Sequence, residues 1–111
     1  MPIKAKWIEF KKEIIEYLAL KESGVYEIGK AKGDVVLYIG QSDTSIRSRL
    51  LIHKGKTDFV ACTHFRKRKT SPDDAGKAED KLITEYEKRN GKRPPLNKNK
   101  SPGDPYKNIL Y

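Results

Sequence analysis

The sequence has little cysteine and no long apolar run, and both shortages exclude whole classes of protein. Cys62 is the single cysteine among 111 residues, so the chain can form no internal disulfide and no cysteine-rich zinc site. No stretch approaches the roughly 20 apolar residues that cross a membrane. The first residues, Met1 to Lys4, lack the apolar stretch of a secretory signal. We therefore expect an intracellular protein, located in the cytoplasm, the nucleoid or the nucleus.

Acidic residues are few relative to basic ones. Lys and Arg total 24 against 15 Asp and Glu, which gives a net charge of +9. This surplus on a small domain favours a polyanionic partner, because each phosphate contact releases condensed counterions. We predict nucleic acid rather than a membrane or an acidic protein, with DNA first and RNA left open. A basic surface without any ligand is the alternative.

The length fits one domain over 1–111, and the apolar patterns predict an α+β fold. Apolar residues at three- and four-residue spacing predict an N-terminal amphipathic helix over 7–20, with one face formed by Trp7, Phe10, Ile14, Tyr17 and Leu18. Next come two strands, which pair antiparallel through a short loop, then a helix, a strand and a helix. Their predicted ranges are 24–28, 35–40, 44–54, 58–66 and about 71–89. Ser71 caps the last helix and Gly91 ends it.

Two tripeptides carry the chemistry: Gly24-Val25-Tyr26 and Tyr38-Ile39-Gly40, with eleven residues between their tyrosines. Paired strands lie about 5 Å apart, so two phenols distant in sequence can share one small site. Arg49 and His53 are four residues apart and fall on one helix face. Glu79 follows beside an apolar helical stripe. This combination suits metal-assisted cleavage of a phosphodiester.

In this order, the motifs resemble the signature of the GIY-YIG nuclease superfamily, with Val25 in place of the first isoleucine. The resemblance covers roughly 23–99 and leaves 1–22 as an N-terminal helical extension and 100–111 as a tail. It implies a three-stranded antiparallel sheet flanked by helices, which agrees with the β-β-α-β-α order predicted above. It also implies a DNA endonuclease that uses one divalent metal ion, Mg²⁺ or Mn²⁺.

On this resemblance, Glu79 holds the metal, since Mg²⁺ often binds only one or two protein carboxylates and water. An exposed glutamate paired with Lys77 or Lys81 is the alternative. Tyr26 deprotonates or orients the attacking water, and Tyr38 supports it. A phenol serves as a base only where positive charge favours the phenolate. Packing of both tyrosines on the strands is the alternative.

Arg49 is expected to grip the phosphate through two parallel N–H bonds. His53 either takes a proton relayed from Tyr26 or bonds the phosphate. Asn97 holds the site together through its amide. An exposed arginine, a structural histidine and a loop-turn asparagine are the corresponding alternatives.

Further nucleic-acid contacts are expected from polar residues after the second tripeptide, from a second arginine on the helix, and from a cationic run. These residues are Gln41, Ser42, Arg47, Arg66, Lys67, Arg68 and Lys69. The run is either a clamp on the phosphate backbone or a solvated strand end.

The predicted function is a metal-dependent DNA endonuclease, and repair, recombination, mobile-element and restriction roles are all compatible with it. A nucleic-acid-binding module that kept the fold without turnover is one alternative. A subunit that depends on a protein partner for targeting is another.

Overall fold

The computed structural model describes residues 3–19 and 21–97. The tail 100–111 and the last residues of the predicted core lie outside this described part. In chain order the elements are β1 Ile8–Glu9, α1 Lys12–Leu18, β2 Gly24–Lys30, β3 Val35–Ser42, α2 Ile46–Lys54, a 3₁₀ turn Thr57–Phe59, β4 His64–Lys69 and α3 Pro72–Asn90. None of these helices is long and apolar enough to span a membrane.

The predicted α+β class is confirmed, but within residues 3–19 and 21–97 the sheet has four strands rather than three. The strand order is β1-β4-β2-β3, and every neighbouring pair is antiparallel. The predicted hairpin of β2 and β3 is present, with Tyr26 directly opposite Gly40. The additional strand is β1, which pairs with the beginning of β4.

The predicted N-terminal helix over 7–20 is wrong in its first part, because the helix begins only at Lys12. The preceding residues are extended: Ile8 pairs with Phe65, and the Phe10 N–H donates to the Thr63 carbonyl at 2.9 Å. Sheet partners outside the segment therefore override its helical spacing. The buried face of α1 is Ile15 and its cap Ala19, whereas Tyr17 is 80% exposed.

The predicted strand over 58–66 is wrong before residue 64, because β4 runs from His64 to Lys69. Residues 57–59 form a 3₁₀ turn that buries Phe59, while Val60 is exposed. The register with β2, from Gly24 opposite Lys69 to Gly29 opposite His64, places the cationic run inside the sheet. The alternating apolar pattern before residue 64 comes from a turn, not from a strand.

Successive strand residues face opposite sides of the sheet, and each side has its own core. On one side, α1 and α2 cover Tyr26, Ile28 and Phe65. On the other side, α3 covers Val25 and Ile39 with Leu82 and Ile83. Tyr26 of β2 and Tyr38 of β3 both belong to the side that α1 and α2 cover.

The ends of α3 are as predicted. The Ser71 hydroxyl accepts a hydrogen bond from the Asp74 N–H at 3.2 Å, and Pro72 occupies the first turn. Gly91 ends the helix with φ 76°, a left-handed conformation that glycine adopts without steric cost. This helix is 19 residues long and carries Glu79 in its first half.

Candidate active site

Tyr26 is the centre of the candidate site. It lies on the central strand β2, on the side of the sheet that α2 covers, and is 1% exposed. Its phenol oxygen lies 2.9 Å from Nε2 of His53, within hydrogen-bond distance. The last turn of α2 carries this histidine. The structure thus joins the first tripeptide to the predicted helix face through a direct polar contact.

His53 packs against two aromatic rings that also contact each other. The centroid of Tyr38 is 4.7 Å from that of the imidazole, and the centroid of Phe59 is 4.6 Å from it. Tyr38 and Tyr26 lie 6.3 Å apart between ring centroids, so the two phenols are neighbours in one cluster. Within the described residues, Nδ1 of His53 is buried and has no hydrogen-bond partner.

Arg49 and Glu79 act on this cluster with opposite charge. The carboxylate of Glu79 raises the pKa of both Tyr26 and Tyr38, and the guanidinium of Arg49 lowers both. Arg49 is exposed on α2, whereas Glu79 is buried on α3. Five predicted residues thus converge: two phenols and an imidazole in contact, and two charges near enough to influence them.

Burial dominates the protonation of the cluster. It raises the pKa of Tyr26 well above its ordinary value and raises the pKa of Tyr38 to about 12. Burial, with the positive charges of Lys56 and Arg49, lowers the pKa of His53 to about 4. At neutral pH, Tyr26 is therefore a phenol beside an uncharged imidazole. A phenolate at this position requires additional positive charge nearby.

Asn97 contacts the backbone of β3 rather than the reacting groups. Its Oδ1 accepts from the Ile39 N–H at 2.9 Å, and its Nδ2 donates to the Ile39 carbonyl at 2.8 Å. The Leu96 N–H donates to the Leu37 carbonyl at 2.8 Å. The segment thus pairs with the outer edge of the strand that bears Tyr38. Asn97 thus holds the backbone of β3 at the residue next to Tyr38.

The donor set of the site fits Mg²⁺ or Mn²⁺ bound through one carboxylate. Among the described residues, no three His, Cys, Asp or Glu side chains lie close enough together to form a metal cage. Magnesium does not require such a cage, since it keeps several waters and binds through one or two carboxylates with substrate phosphates. Glu79 is the carboxylate whose charge reaches both phenols.

Two predicted nucleic-acid contacts from the cationic run are engaged inside the protein. Arg66 is 6% exposed and donates to Glu27 at 2.7 Å and to Asp34 at 3.0 Å. Lys67 donates to Glu22 at 2.8 Å. The remaining members of the run, Arg68 and Lys69, are exposed.

Arg47 and Ser42 also have internal partners. The Nε of Arg47 donates to the Ala19 carbonyl at 2.7 Å and ties α2 to the end of α1. The Ser42 hydroxyl accepts from the backbone of Thr44 and Ser45. Gln41, the last of the predicted contacts, is half-buried on β3.

A cavity of about 410 Å³ lies away from the phenol cluster, with none of the predicted catalytic residues in its wall. It is lined by Asp34, Val35, Val36, Arg66, Tyr86, Arg89 and Asn90. Arg66 also stacks on the Trp7 ring, 4.1 Å from its centroid. Because Glu27 and Asp34 neutralise Arg66, this cavity is not a strongly basic one.

The sequence did not predict that Phe59 and Lys56 lie near His53. Phe59 was assigned to a strand, because the turn that holds it mimics strand alternation. Lys56 lies just beyond α2, and its backbone N–H donates to the His53 carbonyl at 2.9 Å. Its spacing of three residues from His53 was the available signal.

No family model matches this chain, and no curated protein or solved structure matches it significantly. The geometry of the site is therefore the basis on which its function can be inferred.

Proposed function

We propose that this protein is a metal-dependent endonuclease that hydrolyses DNA phosphodiester bonds through a single-metal site of the GIY-YIG type. The observation that carries the proposal is the 2.9 Å contact between the Tyr26 phenol and His53. The exposed Arg49 and the buried Glu79 both shift the pKa of the Tyr26 phenol. A phenol, a proton acceptor, a phosphate ligand and a metal ligand together can support metal-assisted hydrolysis.

Tyr26 and His53 form the proton-transfer pair. The neutral imidazole takes the phenol proton at Nε2, and the resulting phenolate takes a proton from the attacking water. The imidazolium then releases its proton to solvent, and the leaving oxygen takes one from solvent in exchange. The first transfer is unfavourable in the resting protein, since burial raises the pKa of Tyr26 and lowers that of His53. The positive charge of Arg49 favours the phenolate. When bound by Glu79, Mg²⁺ or Mn²⁺ supplies further positive charge and Lewis-acid stabilisation of the leaving oxygen.

Arg49 is the group that meets the phosphate. Its guanidinium is exposed on α2, so it can donate two parallel N–H bonds to phosphate oxygens. The same charge offsets the negative charge that develops as water attacks in line. Tyr38, half-buried beside His53, is placed to orient the water or the phosphate.

The charge distribution favours approach of the nucleic acid over α2. This helix contains two arginines, a lysine and a histidine but no acidic residue, and Lys56 follows it. In contrast, α3 begins with Asp73 and Asp74 in its first turn. A polyanion is therefore attracted to the side of the molecule that carries Arg49.

The burial of Tyr26 favours a second candidate, a nucleic-acid-binding module without turnover. Its ring is 1% exposed and its hydroxyl already contacts His53. A phenol enclosed in this way acts on water only if the substrate or metal opens or polarises the site. Both candidate functions involve nucleic-acid binding at the basic surface of α2, but only the endonuclease cleaves the bound strand.

Magnesium-dependent nicking of supercoiled plasmid tests the proposal. Glu79→Gln removes the metal-binding charge with little change in shape and is expected to abolish nicking while DNA binding persists. Asp80→Asn, at the exposed neighbouring position on the same helix, is the matched control and should nick like the unaltered protein. Binding without nicking by the unaltered protein supports the module. Equal nicking by the Glu79→Gln protein rejects the assigned site.

A panel of duplex, nicked, flap and branched DNA, with RNA of matched sequence, then defines the preferred substrate. The proposal predicts cleavage of at least one DNA in the presence of Mg²⁺ or Mn²⁺ and none with chelator. Cleavage of RNA alone would contradict the assignment to DNA.

A further inference from the structure

Phe59 packs against two members of the proposed proton-transfer cluster. Its ring lies 4.6 Å from the His53 ring at an interplanar angle of 31°, and 5.2 Å from the Tyr38 ring at 71°. It is 6% exposed. Tyr38, Phe59 and the imidazole therefore form one cluster of three rings in mutual contact.

The backbone fixes Phe59 relative to His53. The Lys56 N–H donates to the His53 carbonyl at 2.9 Å, and the Phe59 N–H donates to the Lys56 carbonyl at 3.1 Å. These hydrogen bonds tie the 3₁₀ turn to the end of α2 across Lys56, whose backbone is extended. The ring of Phe59 is consequently held at a set distance from the imidazole.

His53 lacks the usual means of fixing an imidazole. A functional histidine commonly uses one ring nitrogen in chemistry, while a hydrogen bond at the other sets its tautomer and orientation. Here Nε2 meets Tyr26, and Nδ1 has no hydrogen-bond partner in the described part of the chain. Ring packing is the remaining restraint on the orientation of His53.

We propose that Phe59 is a positioning residue, which holds the His53 ring so that Nε2 meets the Tyr26 hydroxyl. It takes the place of the hydrogen bond that a second group would make to Nδ1. The catalytic consequence rests on the proposed nuclease function, but the restraint on the ring does not. Without Phe59, the imidazole can rotate about its side-chain torsions and lose the contact with Tyr26.

Phe59→Leu removes the ring and keeps an apolar side chain. Phe10→Leu is the matched control, because Phe10 is also buried in this core but pairs with Phe65, 6.4 Å away between centroids. We expect Phe59→Leu to lower kcat for DNA cleavage about 10–100-fold, as misplacement of a catalytic group does, with KM nearly unchanged. Phe10→Leu should leave kcat close to that of the unaltered protein.

A second measurement observes the ring without catalysis. The chain has two histidines, so a long-range ¹H–¹⁵N spectrum contains two imidazole systems, and a His64→Gln variant assigns them. In the unaltered protein, the His53 signals should be those of a single tautomer. In Phe59→Leu, its signals should shift and average toward a tautomer mixture, while Phe59→Tyr, which retains a ring, preserves the original pattern.

The two measurements separate the possible failures. If the unaltered protein cleaves no DNA, the nuclease proposal fails, yet the spectrum still decides the role of Phe59. Unchanged His53 signals in Phe59→Leu overturn the positioning role. The same holds if Phe10→Leu shifts those signals, or lowers kcat, as much as Phe59→Leu does.

Discussion

Gly40 lies directly beneath the aromatic ring of Tyr26. The two residues are opposite each other on β3 and β2, and a Cβ added at Gly40 would lie 2.6 Å from the phenol carbon and oxygen of Tyr26. The ring therefore crosses the neighbouring strand at the one position where no side chain obstructs it. This close approach lets the hydroxyl reach His53 and gives the glycine of the second tripeptide a steric reason.

Gly40→Ala is predicted to displace the Tyr26 ring. Overpacking of a dense core costs about 1–3 kcal/mol, and the shift breaks the contact with His53, so cleavage should fall with stability. Gly76→Ala is the matched control, since nothing lies within 4 Å of a Cβ there. On α3 it should stabilise by about 0.5–1 kcal/mol. Urea denaturation measures both, and a stable, active Gly40→Ala protein would contradict the ring position.

Tyr26→Phe removes the hydroxyl that contacts His53 while keeping the ring. We predict a loss of cleavage of about 10²–10⁴-fold, the usual contribution of a positioned acid or base. Stability should fall by only about 1–2 kcal/mol, the cost of an unpaired buried polar group. Single-turnover cleavage and thermal unfolding test this. Tyr17→Phe, at a position 80% exposed, should change neither quantity.

The lowered pKa of His53 predicts that the free energy of unfolding falls in acid. Its pKa is lowered from 6.5 to about 4 by burial and by Lys56 and Arg49, so the unfolded chain binds its proton first. The contribution of neutral His53 to the free energy of unfolding is thus complete above pH 6.5 and is lost as pH falls toward 4. We expect this loss to be on the order of 2–3 kcal/mol between pH 7 and pH 4.

A His53→Gln variant isolates that contribution. Denaturant midpoints measured from pH 4 to pH 7 should fall less steeply with acid in the variant than in the unaltered protein. Groups such as the buried Glu27 titrate in both proteins and cancel in the comparison. Identical pH profiles would mean that His53 has no lowered pKa.

Asn97→Ala should loosen the edge of β3. The substitution removes both hydrogen bonds to Ile39 and leaves its N–H and carbonyl unpaired, at a cost of about 2–4 kcal/mol. Amide exchange at Ile39 should accelerate, and cleavage should weaken because Tyr38 is the adjacent residue. Asn90→Ala, which removes an exposed hydrogen bond to the Tyr86 carbonyl, is the control. Equal stability of the two variants would rule out the edge contact.

Lys56→Gln tests the approach of DNA over α2. Lys56 is exposed close to His53. We therefore expect the variant to bind DNA more weakly and the slope of log K against log salt to fall by about one, the effect of losing one phosphate contact. Lys77→Gln, an equal change in charge on α3, should leave the slope close to that of the unaltered protein. The measurement is binding to a fixed duplex in Ca²⁺ at several salt concentrations. Equal slopes in the two variants would place the DNA elsewhere.

Local patterns predicted the hairpin, α2 and α3, because their signals are carried by neighbouring residues. Glycines flank the hairpin strands, Ser71 and Pro72 start α3, and Gly91 ends it. The predictions of a helix before residue 12 and of a strand before residue 64 were wrong, because long-range pairing decides both segments. Neither the register of β4 on β2 nor the attachment of β1 to it is visible in the spacing of either segment.

For the candidate site, sequence order identified Tyr26, Tyr38, Arg49, His53 and Glu79, which the structure gathers around the phenols. It could not show which cations are already paired. Arg66 faces Glu27 because the two are opposite each other on adjacent strands, a relation set by register alone. Phe59 could not be found either, because its position depends on the turn after α2.

The amide of Asn97 has a consequence beyond the alignment of Tyr38. An outer strand with free N–H and carbonyl groups can template pairing with another chain and so begin aggregation. By occupying both groups of Ile39, one side chain imitates a short stretch of partner strand. Loss of this amide should therefore make the protein prone to self-association through β3, even where the monomer remains folded.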